Sequence, residues 1–251
     1  MSRGRRALVV TMPAKAQASL PALLDNLRRH PDRDTALARD ARLAEGYEGT
    51  TLRIREVRRR AVERLELQPG ETVFDVACGT GAMLRELASR TGPQGRVLGI
   101  EQSQAMAELA RAAAQGRPSI EVHQSPVETF TASRLADALV LCYTHDVLHS
   151  PAALANLFAQ ARPGARIAVA GLCLLPWWGA PVNAWVAWGA RHYLTTWQGL
   201  RRPWAPLLPY CPDLQIVERF HLGTGYLATG TVARTVLSTH PPASGGSHEH
   251  A

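Results

Sequence analysis

The chain has 251 residues, enough for one large α/β domain with a substantial core. Its formal net charge of +7 points to nucleic acid or an anionic membrane, but Lys15 is the only lysine. Positive charge that is nearly all arginine, in a chain rich in alanine, marks a composition bias, so the charge carries little weight by itself. No stretch approaches the ~20 apolar residues needed to span a bilayer. Cys78, Cys142, Cys173 and Cys211 have neither disulfide-type nor metal-type spacing, so free thiols in a reducing compartment are expected and no metal site is.

Residues 1–18 read as a disordered basic segment. Arg3, Arg5 and Arg6 precede the apolar run Ala7–Val10, which Thr11 and Pro13 break before it reaches the length of a signal-peptide core. A cytoplasmic protein is expected. Ser19 can cap a short helix to about Arg29, with Pro21 in its first turn. A second helix starts near Thr51. Ile54, Val57, Ala61 and Leu65 form its apolar stripe, while Arg53, Arg55, Arg58, Arg59, Arg60 and Arg64 read as a solvated face.

Gln68-Pro69-Gly70 turns the chain into Val73-Phe74-Asp75-Val76, a β-branched and aromatic run typical of a buried strand. It ends in Ala77-Cys78-Gly79-Thr80-Gly81, and a helix follows from Ala82 to Ala88. Strand, glycine turn and helix form the geometry in which backbone approaches a nucleotide-like ligand at a helix N-terminus. A dinucleotide-binding turn would carry a third glycine where this chain has Leu84. The run Asp75-Val76-Ala77-Cys78-Gly79-Thr80-Gly81 resembles the cofactor motif of class I S-adenosylmethionine-dependent methyltransferases. In that family the acid and the glycine backbone hold the methionine end of the cofactor.

The second strand, Arg96–Ile100, ends in Glu101, twenty residues past Gly81. That is where a Rossmann-type unit places the acid that takes two ribose hydroxyls. The third strand is Ser119–His123. The family commonly has an aspartate where Ser125 stands, which is a departure. The fourth strand, Asp137–Cys142, leads into Tyr143-Thr144-His145-Asp146, at the carboxyl end where open sheets carry ligands. Ser150-Pro151 caps the next helix, and Arg162-Pro163-Gly164 resembles the turn before the family's fifth strand.

This order of elements means a doubly wound, Rossmann-like α/β sheet. The resemblance covers about Tyr47 to Gly171 and, more loosely, Asp213 to Arg234. It implies seven strands with the last antiparallel, in a single domain over residues 19–239. Residues 240–251, rich in Pro, Ser, Gly and His, read as a disordered tail. The resemblance further implies S-adenosyl-L-methionine as cofactor and S-adenosyl-L-homocysteine as product. It assigns their binding to Tyr47, Asp75, Ala77, Cys78, Gly79, Thr80, Gly81, Glu101, Gln102, Met106, Ser125, Pro126, Val127, Cys142 and Tyr143.

Residues 172–213 differ in character and hold every tryptophan: Trp177, Trp178, Trp185, Trp188, Trp197 and Trp204. A helix over Ala184–Leu194 would put Trp185, Trp188 and His192 on one face. We read the insertion as a substrate cap, with Trp178, Trp185, Trp188 and Tyr193 as substrate contacts. Plain packing accounts for some of the tryptophans, and docking on a membrane surface ranks third. His145, His192 and Asp146 are the candidate bases, with His145 first and His149 a further histidine nearby.

The expected activity is methyl transfer to N or O of a small molecule, with secondary metabolism one setting. The alternatives are an amine or lipid-headgroup N-methyltransferase at a membrane, an RNA methyltransferase, or a non-catalytic cofactor-binding subunit. Against RNA, the fourth strand lacks the Asn/Asp-Pro-Pro-Tyr motif of base-amine methylation, and no aromatic-interleaved basic platform is evident. Substrate identity and oligomeric state are left open.

Overall fold

The computed structural model describes residues 34, 36–38, 48–190 and 194–234. The expected basic segment, the Ser19 helix and the tail lie outside the described residues, as do Tyr47, His192 and Tyr193.

The first long helix, α1 (Glu48–Arg64), precedes β1 (Thr72–Val76), α2 (Leu84–Thr91), β2 (Arg96–Glu101), α3 (Gln104–Ala114) and β3 (Ile120–Gln124). Then come β4 (Ala136–Cys142), the short α4 (His145–Leu148), α5 (Pro151–Ala159) and β5 (Ala161–Leu172). The insertion carries α6 (Ala180–Ala190), and the hairpin β6 (Gln215–Phe220) and β7 (Gly225–Thr231) follows it. Seven strands form one sheet in the order β3-β2-β1-β4-β5-β7-β6. The first five are parallel, and β7 runs antiparallel to both β5 and β6, as expected.

Helices cover both faces, so the central strands are buried continuously rather than alternately. On one face Phe74, Val76, Leu98 and Leu139 meet Phe130, Leu154, Leu157 and Phe158. On the other, Val73, Val97, Val140 and Ala168 meet Val57 and Ala61 of α1, Leu65 just after it, and Leu84 and Leu87 of α2. The apolar stripe read on α1 is therefore its packing face. Three of its arginines are paired, Arg59 with Glu56 and Glu63, and Arg60 and Arg64 with Glu218 of β6. Ser150 caps α5 as expected, its hydroxyl accepting from the Ala153 amide at 3.2 Å.

Two boundaries moved. Helix α2 starts at Leu84, not Ala82, because the turn runs on through Met83. Helix α6 is described over Ala180–Ala190 and begins four residues earlier than its spacing suggested. Asn183 explains the early start: its side chain accepts from the Leu175 amide at 2.8 Å and donates to the Leu175 carbonyl at 2.9 Å, folding the chain back before the helix.

Leu84 takes the place of the third glycine of a dinucleotide turn. A Cβ added at Gly81 would lie 2.8 Å from Leu84 and 3.0 Å from the Ala110 backbone, at φ +79°. Turn, α2 and α3 meet there with no room for a side chain. Gly81→Ala should destabilise the chain by roughly 1–3 kcal/mol from the left-handed backbone, plus the clash. Gly92→Ala, at φ +70° with open space around it, carries the backbone strain alone. Urea unfolding of both variants checks this, with the larger loss expected at Gly81.

Candidate active site

The strand order reverses between β1 and β4, and ligands in open α/β sheets bind at the carboxyl ends of strands at such a point. A cavity of about 900 Å³ opens there, large for a small-molecule site. Its walls begin where β1 and β4 end. Ala77 and Tyr143, both lining residues, hold φ of 51° and 61°, a strained conformation for side-chain-bearing residues. Gly79 faces the cavity at φ +57°, with nothing within 4 Å of where a Cβ would stand.

Glu101 fastens this rim. Its carboxylate accepts from the Gly79 amide at 3.0 Å and from the Ser103 amide at 2.8 Å. It is only 6% exposed, because it lies between the β1 turn and the start of α3. A carboxylate offers about four acceptor positions, so it can hold the turn and still accept from a ligand hydroxyl.

Asp75 is placed differently from the expectation. It is fully buried, does not line the cavity, and neither oxygen has a hydrogen-bond partner among the described residues. Loss of water pushes its pKa up to about 7; Arg58 opposes this and the Glu101 charge adds to it. Arg58 lines the cavity, so the solvated-face reading fails for that arginine. Its place was legible: four residues past Ile54, it falls beside the apolar stripe of α1.

Across the cavity α4 presents His145 and His149, with ring centroids 4.5 Å apart. His145 is 8% exposed, and burial first, then His149, lowers its pKa to about 4. Neither ring nitrogen makes a hydrogen bond of normal geometry among the described residues, although the Gln198 backbone favours the protonated form. His145 is thus neutral at physiological pH and able to accept a proton. Asp146 accepts from the Thr195 hydroxyl at 2.7 Å, which ties α4 to the insertion.

Most of the expected cofactor residues line this one cavity: Ala77, Cys78, Gly79, Glu101, Gln102, Met106, Ser125, Pro126, Val127, Cys142 and Tyr143. Asp75, Thr80 and Gly81 do not; Asp75 is buried in β1, and Gly81 packs against Leu84 and Ala110. Trp185 and Trp188 line it, but Trp178 does not and stands 63% exposed on the preceding turn. His221 and Thr224, between β6 and β7, also line it; no motif marked them, and only the antiparallel hairpin brings them to β5. All four cysteines are free and buried, as expected. The described residues contain no metal-type cluster.

Two buried groups make stability depend on pH in opposite directions. His145 binds its proton less readily folded than unfolded, so stability falls as pH drops from 6.5 toward 4. Asp75 binds its proton more readily folded, so stability falls as pH rises from 3.8 to about 7. Asp75→Asn should therefore melt above the parent at pH 8, with the gap shrinking at pH 5 and closing below pH 4. A gap independent of pH in calorimetric scans would show that Asp75 does not titrate in this way.

Residues 73–164 match the family described as "Methyltransferase domain". The 2-phytyl-1,4-naphtoquinone methyltransferase of Thermosynechococcus vestitus is 33% identical over 53% of this chain and 63% of that protein. The nocamycin O-methyltransferase of Saccharothrix syringae is 39% identical over 32% of this chain and 30% of that one. The chain thus spans less than two thirds of the length of these curated relatives. Among solved structures, the N-methyltransferase NodS of Bradyrhizobium japonicum superposes with a TM-score of 0.52 over 71% of this chain and 96% of its own. At 16% identity that likeness speaks for the fold alone. Residues 73–164, from β1 into β5, thus match the methyltransferase domain, and they lie in a seven-stranded α/β sheet with the antiparallel last strand that the resemblance implied.

Proposed function

We propose that the chain transfers a methyl group from S-adenosyl-L-methionine to a lipophilic aromatic small molecule bearing an ionisable hydroxyl, at that oxygen or the adjacent ring carbon. One observation carries this: a single cavity of about 900 Å³ runs from the glycine turn and Glu101 to His145 and the tryptophans of the insertion. The relatives named for a naphthoquinone and for an O-methylation support the hydroxyl-bearing ring. An amine substrate has less support, because Trp178, one of the indoles expected to contact the substrate, lies off the cavity. A base-modifying RNA enzyme is disfavoured too, since ion pairs occupy much of the arginine face of α1.

The residues fit the cofactor on their chemistry. Gly79 leaves open space where a side chain would project, and Glu101 is acceptor-only, which suits paired ribose hydroxyls. When bound, the cofactor supplies an electrophilic methyl on a sulfonium. The chain's own work is then alignment, exclusion of water and removal of one proton. His145, neutral because it is buried, accepts the proton of the substrate hydroxyl and leaves the nucleophile negative. Trp185, Trp188 and Val186 form the apolar side of the cavity and hold the ring.

His145→Ala should lower kcat by about 10²–10⁴ with unchanged affinity for S-adenosyl-L-homocysteine, and the loss should be greatest at pH values where the substrate hydroxyl stays protonated. An unchanged kcat would remove His145 from the chemistry; if His192→Ala then abolished turnover, the base would lie in the insertion. Glu101→Gln should weaken S-adenosyl-L-homocysteine binding by about 1–3 kcal/mol in titration calorimetry. Trp185→Ala should raise KM for the aromatic substrate and leave cofactor affinity alone.

A further inference from the structure

The insertion turns four tryptophans to the outside. Trp177 is 80% exposed, Trp178 63%, Trp185 68% and Trp188 59%. Scattered single apolar residues on a surface need no explanation, but a contiguous aromatic patch marks a contact. Leu222 joins it at 82% exposure, and the backbone is strained to hold it there: His221 and Leu222 have φ of 50° and 57°. A Cβ on the next residue, Gly223, would lie 3.2 Å from the Leu175 side chain, so this turn abuts the base of the insertion two residues before Trp177.

The charge pattern identifies the contact. Between Asp146 and Asp213 the sequence has no carboxylate at all, and between Arg166 and Arg191 no charged residue of either sign. Arg191 follows α6 in sequence, and Arg201 and Arg202 lie exposed beside the patch, next to Leu200, whose carbonyl accepts from the Leu174 amide at 2.7 Å. Tryptophan with arginine at its edge, in a stretch of sequence without acids, suits the headgroup layer of an anionic bilayer, where indole is favoured and carboxylates are not. A second copy of this chain fits less well, since a two-fold contact would set one basic edge against another with no carboxylate between Asp146 and Asp213 in sequence to pair them. Among the described residues no helix is long and apolar enough to cross a membrane, so the contact is with the surface.

We propose that Trp177, Trp178 and Leu222, with Arg201 and Arg202 at the edge, dock the chain on an anionic lipid surface. Trp185 and Trp188, which are both exposed and cavity-lining, then set the cavity mouth against the lipid. Delivery of substrate from the bilayer rests on the lipophilic substrate proposed above; the docking itself does not.

The test uses the purified full chain and vesicles of phosphatidylcholine alone or mixed equally with phosphatidylglycerol. The chain should sediment with the anionic vesicles, less so at high salt, with a blue shift of tryptophan emission. Trp177→Ser with Trp178→Ser, and separately Arg201→Glu with Arg202→Glu, should each weaken partitioning by about tenfold or more. Both variants should bind S-adenosyl-L-homocysteine as the parent does, and should methylate a short-chain, water-soluble hydroxynaphthoquinone at the parental rate. No sedimentation, or sedimentation that neither variant changes, overturns the docking. So does a tryptophan-dependent dimer that ignores vesicles. Vesicle binding that follows these residues while no quinone is methylated supports the docking and sinks the substrate reading instead.

Discussion

One buried carboxylate organises the functional end of this sheet. Glu101 accepts the Gly79 amide from the β1 turn and the Ser103 amide from the start of α3, joining two loops on adjacent parallel strands. Without it the buried Ser103 amide and the half-buried Gly79 amide would lose their partner, and the glycine turn would have one fastening fewer. The Cys78 amide, donating to the Ile100 carbonyl at 3.0 Å, reinforces the same junction. A residue that looks like a ligand acceptor is thus a structural clamp as well, which couples the shape of the cofactor site to the β1–β2 pairing.

Burial near this clamp sets the charge states of the site. Asp75 and His145 lie at the carboxyl-end side of the sheet, each poor in water and in hydrogen-bond partners, and each is pushed toward its neutral form. On the His145 side of the cavity an apolar ring therefore meets an uncharged imidazole rather than a buried unpaired charge. Neutral His145 keeps an acceptor for one proton, the one polar task the proposed reaction asks of that wall. The Thr195–Asp146 bond ties α4, and so His145, to the insertion that forms the opposite wall.

The insertion divides its tryptophans between two kinds of work. Its later half is anchored: Tyr210 stacks on Phe158 at 4.4 Å, and Trp204 lies 4.9 Å from buried Tyr226, with ring centroids compared in both cases. Its earlier half, from Trp177 through α6, stands outward with its rings in solvent. The first supports the sheet; the second reaches past the cavity mouth. One composition therefore serves as packing at one end and as a contact surface at the other.

Much of this was legible in the chain itself. The β-branched run into Gly79 and Gly81, the acid at Glu101 and the Ser150-Pro151 cap are local signals, because backbone conformation and strand burial act over a few residues. They sufficed for the doubly wound sheet and for most of the cavity wall near the turn. Tertiary structure decided what depends on distant neighbours. It buried Asp75 behind the turn, since which face of β1 meets α1 is set by packing. It also brought His221 and Thr224 to the cavity through an antiparallel pairing that no short motif announces. Above all it sorted the tryptophans: an indole has the same appetite for burial wherever it stands, and only the fold determines whether protein is there to cover it.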